Sequence, residues 1–225
     1  NSARLAIASA TAAYSSKTVG NGKSVTVTAA TLSGTSSGNY VMSVSGAPSA
    51  TANITARTLT VTATATNRVY NGATTITVSL SNDKVAGDTV TLASTSATTA
   101  DKNVGTGKTV TVSGISASGA DATNYSVPTS TTTTVNITVK TLTVTITATN
   151  RTYDGTTAAS VTYGDDRVAG DSLTASGTAT FATKTVGTGK TVTASSITIS
   201  GTDAANYTLA STTATTTANI TVRTL

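Results

Sequence analysis

One segment of this chain recurs and governs everything else. Residues 135–148 read V-N-I-T-V-K-T-L-T-V-T-I-T-A, residues 53–65 read N-I-T-A-R-T-L-T-V-T-A-T-A, and residues 219–225 read N-I-T-V-R-T-L. Asn53, Asn136 and Asn219 stand 83 residues apart, so each period of that length must hold a whole structural unit. Apolar and polar residues alternate through the segment, as in a half-buried strand. The alternation changes phase midway: Val135, Ile137 and Val139 are apolar at odd positions, Leu142, Val144, Ile146 and Ala148 at even ones. The slip falls at Lys140-Thr141, and in the other copies at Arg57-Thr58 and Arg223-Thr224. A one-residue slip carries the apolar set to the opposite face of a strand. The segment is therefore two strands of two successive modules. Nothing rich in Gly or Ser loosens the connection, which predicts a stiff joint and an extended rod.

Counting between slips gives a partial module at residues 1–57, complete modules at 58–140 and 141–223, and the start of another at 224–225. The first is expected to be truncated at its N-terminal side. Tyr70-Asn71-Gly72 matches Tyr153-Asp154-Gly155, and Val85-Ala86-Gly87-Asp88 matches Val168-Ala169-Gly170-Asp171. Lys102-Asn103-Val104-Gly105-Thr106-Gly107-Lys108 matches Lys184-Thr185-Val186-Gly187-Thr188-Gly189-Lys190, with Lys17-Thr18-Val19-Gly20-Asn21-Gly22-Lys23 in the first module. Asp121-Ala122-Thr123-Asn124-Tyr125 matches Asp203-Ala204-Ala205-Asn206-Tyr207, and the first module keeps Asn39-Tyr40 with Ser36 in place of the Asp.

Threonine supplies about a quarter of the residues, while Cys, His, Trp, Glu and Gln are missing. β-Branched residues suit a pleated surface and good helix formers are scarce, so the class is all-β. Short alternating runs with turn residues every ten or so positions predict tandem small β-sandwich or β-grasp-like modules of about 83 residues. Expected strands include 59–65, 76–80, 90–93, 110–115, 125–127 and 135–139, with turns at Asn71-Gly72 and Gly105-Thr106-Gly107. Leu59, Val61, Tyr70, Ile76, Leu80, Leu92, Ile115, Tyr125 and Ile137 form the expected core of the second module. Domains of this size bury only about 60% of their unfolded surface, so neighbouring modules should contribute to stability.

Formal net charge is +5, but four of those charges lie in residues 1–57 (Arg4, Lys17, Lys23, Arg57, no acid). Residues 58–140 carry five bases and four Asp, and residues 141–223 five of each. A nucleic-acid surface needs a recurring or clustered basic stripe, so nucleic acid is not expected as a partner. No apolar run approaches the ~20 residues of a membrane span, so membrane insertion of this segment is not expected either.

Candidate sites are few. Gly105-Thr106-Gly107-Lys108-Thr109 has the end of a phosphate loop, but Lys102 stands where the motif needs its first Gly, and a strand pattern follows instead of a helix. It reads as structural. Asp83, Asp88, Asp166 and Asp171 are candidate calcium ligands, although calcium takes six to eight oxygens and a basic residue follows the first Asp of each pair. Without His, Cys or Glu the common bases and thiol nucleophiles are missing, so no catalytic residue, cofactor or enzymatic activity is expected. Tyr40, Tyr125 and Tyr207 recur at one position and Tyr70 and Tyr153 at another. They read as core anchors with bonded hydroxyls, and Gly72, Asp154 and Gly155 as turn residues.

Together, Tyr153-Asp154-Gly155-Thr156-Thr157, Val168-Ala169-Gly170-Asp171, the Lys184–Lys190 motif and Asp203-Ala204-Ala205-Asn206-Tyr207 resemble the YDG/MBG-type repeats of large bacterial surface proteins. Such repeats occur in filamentous-haemagglutinin-like adhesins, often exported by two-partner secretion. The resemblance implies an extracellular stalk or spacer on a bacterial cell surface or in a biofilm matrix, and it brings no catalytic residues. Expected partners are neighbouring repeats of the same chain. Alternatives are repeats that bind a matrix polysaccharide, or that associate with like chains into a fibre or surface layer.

Overall fold

The computed structural model describes residues 4–225, whose regular secondary structure is strand apart from three single-turn 3-10 helices at Ser37–Asn39, Ala122–Asn124 and Ala204–Asn206. None of its helices is long and apolar enough to cross a membrane. The chain folds as two compact units. One comprises Asn1–Thr62, Leu80–Thr95 and Ser113–Thr131; the other comprises Ala63–Ser79, Ser96–Val112 and Thr132–Leu225. Each unit encloses one junction between sequence modules.

The third module shows the architecture most fully. Its four-stranded sheet runs, in spatial order, Arg151–Thr152, Ala214–Thr221, Gly187–Ser200 and Thr174–Phe181. The sheet is mixed: Arg151 aligns with Ile220 in a parallel pair, whereas the other two pairings are antiparallel. A ribbon of Val144–Ala148 against Val161–Asp165 supplies a second layer. Ile146 from the ribbon meets Ala179, Phe181, Val192, Ala194, Ala218 and Ile220 from the sheet in one apolar cluster. Along each sheet strand these residues are spaced by two, so one face is apolar throughout. The module is thus a small two-layer β structure. The second module repeats the four-strand order with Arg68–Val69, Ser130–Thr138, Gly105–Ser113 and Ser96–Thr99.

A bulge adjusts the spacing in the long strand. Val192 and Ala194 face the core two residues apart, but the next core residue is Ile197, three further on. Ser196, with φ of 53°, takes up the extra residue. Its counterpart is Gly114, at φ 65°, which brings Ile115 inward after Val110 and Val112.

The phase slip corresponds to a change of partner. Ser130–Thr138 carries buried Val135 and Ile137 and pairs with Arg68–Val69 of its own module. After Val139 alone, Lys140–Leu142 begins a parallel pair with Tyr207–Leu209 of the third module, and Leu142 is fully buried. At the earlier junction, Ala50–Ile54 pairs with Gly20–Ser33, while Arg57–Thr58 pairs with Tyr125–Ser126.

Three details depart from the sequence reading. Gly105-Thr106-Gly107 is not a turn between strands but the start of the strand Gly105–Ser113; in the first and third modules the same motif is a register break inside the strand, at Gly20/Lys23 and Gly187/Lys190. Ser96–Thr99 is a strand that its short polar side chains did not announce. Leu80 and Leu92 are half-buried, whereas the other seven expected core residues of the second module are buried.

Candidate functional site at the module joints

The recurring motifs converge on the joints, and the second joint is the more complete. The V-A-G-D loop of the third module places Asp171 so that its side chain is only 2% exposed. Tyr207 Oη donates to Asp171 Oδ2 at 2.6 Å while accepting the Val168 N–H at 2.9 Å, which fixes the loop from within its own module. The second module supplies the rest. Tyr70 Oη donates to Asp171 Oδ2 at 2.8 Å, and Lys102 Nζ pairs with Asp171 and, at 2.8 Å, with Asp203 Oδ1. The Val104 N–H donates to Asn206 Oδ1 at 2.9 Å, and Asn206 Nδ2 donates to Asn103 Oδ1 at 3.1 Å. Tyr70 and Tyr207 meet edge to face, ring centroids 5.5 Å apart. A buried carboxylate is tolerated when charge and hydrogen bonds compensate it, and Asp171 has both.

Glycine shapes both sides of this joint. Gly72, at φ 76°, lies so close to the third module that an added Cβ would stand 2.7 Å from Val168 Cγ1. Gly201, at φ 121°, carries the chain into the 3-10 turn that presents Asn206, and a Cβ there would lie 2.6 Å from the Ser172 carbonyl oxygen. Asp203 then ties its turn to the V-A-G-D loop by accepting the Ser172 N–H at 2.9 Å.

The first joint repeats the plan. Lys17 Nζ pairs with Asp88 Oδ1 at 2.7 Å and Asp121 Oδ1 at 3.0 Å, and the Val19 N–H donates to Asn124 Oδ1 at 2.9 Å. Tyr125 Oη donates to Asp88 Oδ2 at 2.6 Å. A recess of about 240 Å3 lined by Lys17, Val85, Asp88 and Tyr125 among others lies at this joint. The Asp88 side chain is 12% exposed and Lys17 67%, against 2% and 32% for Asp171 and Lys102.

Charge follows the geometry. Burial pushes the Asp171 carboxyl up, but Lys102 and the hydroxyls of Tyr207 and Tyr70 outweigh it and hold the group below the ordinary carboxylate range. Asp203 is lowered by Lys102 and the Ser172 N–H, Asp88 by Lys17 and Tyr125, and Asp121 by the Thr89 N–H and Lys17. Lys102 and Lys17 are raised by the carboxylates they bridge. Burial and the neighbouring carboxylate push Tyr207 up to about 12.

The other two candidate calcium ligands brace the phase slip. Asp83 Oδ1 accepts the Thr60 N–H at 2.8 Å and Asp83 Oδ2 pairs with Arg57 at 2.9 Å; Asp166 Oδ1 accepts the Thr143 N–H at 2.8 Å and Asp166 Oδ2 pairs with Lys140 at 3.3 Å. The bases at two of the slips, Arg57 and Lys140, are thus paired with these carboxylates. All four Asp candidates are engaged by cations and N–H or O–H donors, and no cluster of three or more metal-ligand side chains occurs among the described residues.

The G-x-G-K motif is held for folding. Gly22, Gly107 and Gly189 donate their N–H to Asn53, Asn136 and Asn219, respectively, at 2.8–2.9 Å. Asn71 and Asp154 each accept the N–H two residues on, closing the turns around Gly72 and Gly155. Tyr70, Tyr125 and Tyr207 are buried with bonded hydroxyls, as expected of anchors. Tyr40 and Tyr153 are 56% and 36% exposed.

Sequence reasoning singled out the tyrosines, Asp88 and Asp171 but not Lys17, Lys102, Asn124, Asn206, Asp121 or Asp203 as a set. Their signal was joint recurrence at fixed spacing without any core-forming character. A YDG domain model matches residues 2–51, 55–134 and 138–216. No curated protein and no solved structure matches the chain significantly. The chain belongs to the YDG domain family, of which it carries three tandem copies.

Proposed function

We propose that this chain is a structural spacer, a stalk segment of an extracellular bacterial adhesin or biofilm-matrix protein, whose work is mechanical rather than catalytic. The observation that carries this reading is the joint itself. Lys102, Val104, Asp171, Asp203 and Asn206, which lie in recurring motifs, are committed to holding one module against the next. A chain whose repeated motifs are spent on joints is suited to keeping a fixed spacing between whatever lies at its two ends. Short strands connected without a Gly/Ser linker support a stiff repeat.

Small-angle scattering on chains of increasing module number tests this. A spacer gives a maximum dimension that rises by a constant increment per module; a dimension that levels off as modules are added rules it out. A second reading, lateral association with like chains, is favoured by the strand Ala6–Tyr14, which lies at the edge of its sheet. An open edge is a template for pairing. Sedimentation that stays monomeric at high concentration removes that reading.

A further inference from the structure

We infer that Asn71 is a site of spontaneous deamidation, and that the aspartate it becomes supplies the acceptor that Arg68 Nη1 lacks. The co-reactant is water and the leaving group ammonia, so the step needs no enzyme.

The same short turn occurs in two modules with one telling difference. In the third module Arg151 Nη2 donates to the Thr156 carbonyl, while Arg151 Nη1 donates to Asp154 Oδ2 at 2.6 Å and to Thr156 Oγ1 at 2.9 Å. In the second module Arg68 Nη2 donates to the Ala73 carbonyl in the same way. Asn71 and Ala73 stand where Asp154 and Thr156 do, so both acceptors for Nη1 are gone. Nε is buried without a partner in both arginines, but Nη1 is orphaned only in Arg68. An unmet buried donor on a charged group is costly. One carboxylate oxygen at residue 71 would satisfy it.

Asn71 is also built to react. It precedes a glycine, whose missing Cβ leaves the backbone nitrogen open to the side-chain carbonyl carbon. Asn71 is exposed, and its Oδ1 accepts the Ala73 N–H at 3.1 Å. That bond polarises the carboxamide and stabilises the oxyanion that forms on attack. The Gly72 nitrogen bonds to Asn71 Cγ, its proton passes to Nδ2, and the Cγ–Nδ2 bond breaks to release ammonia. Water then adds at Cγ of the succinimide, the new Cγ–N bond breaks, and the Gly72 nitrogen recovers a proton, leaving an aspartate. Opening at the other carbonyl gives isoaspartate, which inserts one more atom into the backbone. Gly72 lies so close to Val168 that a Cβ would stand 2.7 Å from Cγ1, so aspartate is the product that the fold admits. The chain has one other Asn-Gly pair, Asn21-Gly22. There the attacking nitrogen is held in a strand, donating to Asn53 Oδ1 at 2.9 Å.

The test ages the full chain in warm, mildly alkaline buffer and follows the ~1 Da gain of deamidation by peptide mass spectrometry. Trypsin separates the two Asn-Gly pairs onto residues 18–23 and 69–84, and fragmentation places the gain within each. Deamidation at Asn71 runs severalfold faster than at Asn21, with a larger share of aspartate than when the chain is aged in denaturant. The Asn71→Asp variant melts about 3 °C or more above the parent chain at neutral pH, the scale of one charged hydrogen bond in a chain this long. That gain is lost in acid as the carboxyl protonates. No mass gain at Asn71, or equal rates at the two pairs, overturns the site. A product that is all isoaspartate, or an Asn71→Asp variant no more stable than the parent at neutral pH, overturns the pairing with Arg68.

Discussion

At the scale of single residues, Asp171 decides most. It collects two phenols and an ammonium from both sides of a joint, so each donor can be removed separately. Tyr70→Phe takes one hydroxyl from a buried carboxylate and is expected to destabilise the chain by about 1.5 kcal/mol, the low end for a hydrogen bond to a charged group because Tyr207 and Lys102 remain. Tyr153→Phe, at an exposed counterpart, is expected to change nothing measurable; denaturant unfolding of the two variants checks the pair. Ser196 offers the opposite sign. A non-glycine residue in the left-handed region costs about 1–2 kcal/mol, partly offset by glycine's larger unfolded-state entropy. Ser196→Gly is therefore expected to stabilise by up to about 1 kcal/mol, with the bulge register intact by backbone chemical shifts.

At the scale of elements, the joints depend on short segments held by glycine and by single apolar anchors. Gly201 has a φ that other residues avoid, and its missing Cβ makes room for the Ser172 carbonyl. Gly201→Ala is expected to cost at least about 1–3 kcal/mol and to displace the 3-10 turn that carries Asn206, seen as faster exchange of the Val104 amide. Leu142, on the first strand after the slip, is fully buried, and Leu142→Ala is expected to cost about 2–5 kcal/mol in thermal or denaturant unfolding. Much of the element level was legible beforehand. The alternation around Lys140 located two strands and their change of face, because period two is a local property of sequence. Ser96–Thr99 was not legible, because its place in the sheet comes from its pairing partner rather than from large side chains of its own.

At the scale of the whole molecule, the joints couple stability to pH in a defined direction. The carboxyls of Asp88, Asp121, Asp171 and Asp203 are depressed, so their contribution is present above the unfolded carboxylate value near ~3.9 and is lost as pH falls through their folded values. Lys17, Lys102, Tyr70 and Tyr207 are raised, so their contribution is complete below the unfolded values near ~10 and is lost as pH rises beyond them. A melting temperature that is level between about pH 5 and 9 and falls on both sides is expected, with the acid-side fall reduced in an Asp171→Asn, Asp203→Asn double variant. A melting temperature that rises below pH 4 contradicts this account.

The recurring segment by itself determined that this chain is modular, all-β and joined without linkers, since repetition, strand period and linker composition are local or nearly local properties. The sequence also marked Tyr40, Tyr70, Tyr125, Tyr153 and Tyr207 as anchors, of which Tyr70, Tyr125 and Tyr207 are buried. Only the tertiary structure decided that Lys102, Val104, Asp171, Asp203 and Asn206 meet at a joint between modules. Lys102 lies 69 residues from Asp171, and Val104 lies 102 from Asn206. Their pairing depends on how one module is set against the next, a relation that no window of sequence contains. Tyr70 is buried against Asp171, 101 residues further along, so its burial is conferred by the neighbouring module and not by the residue alone.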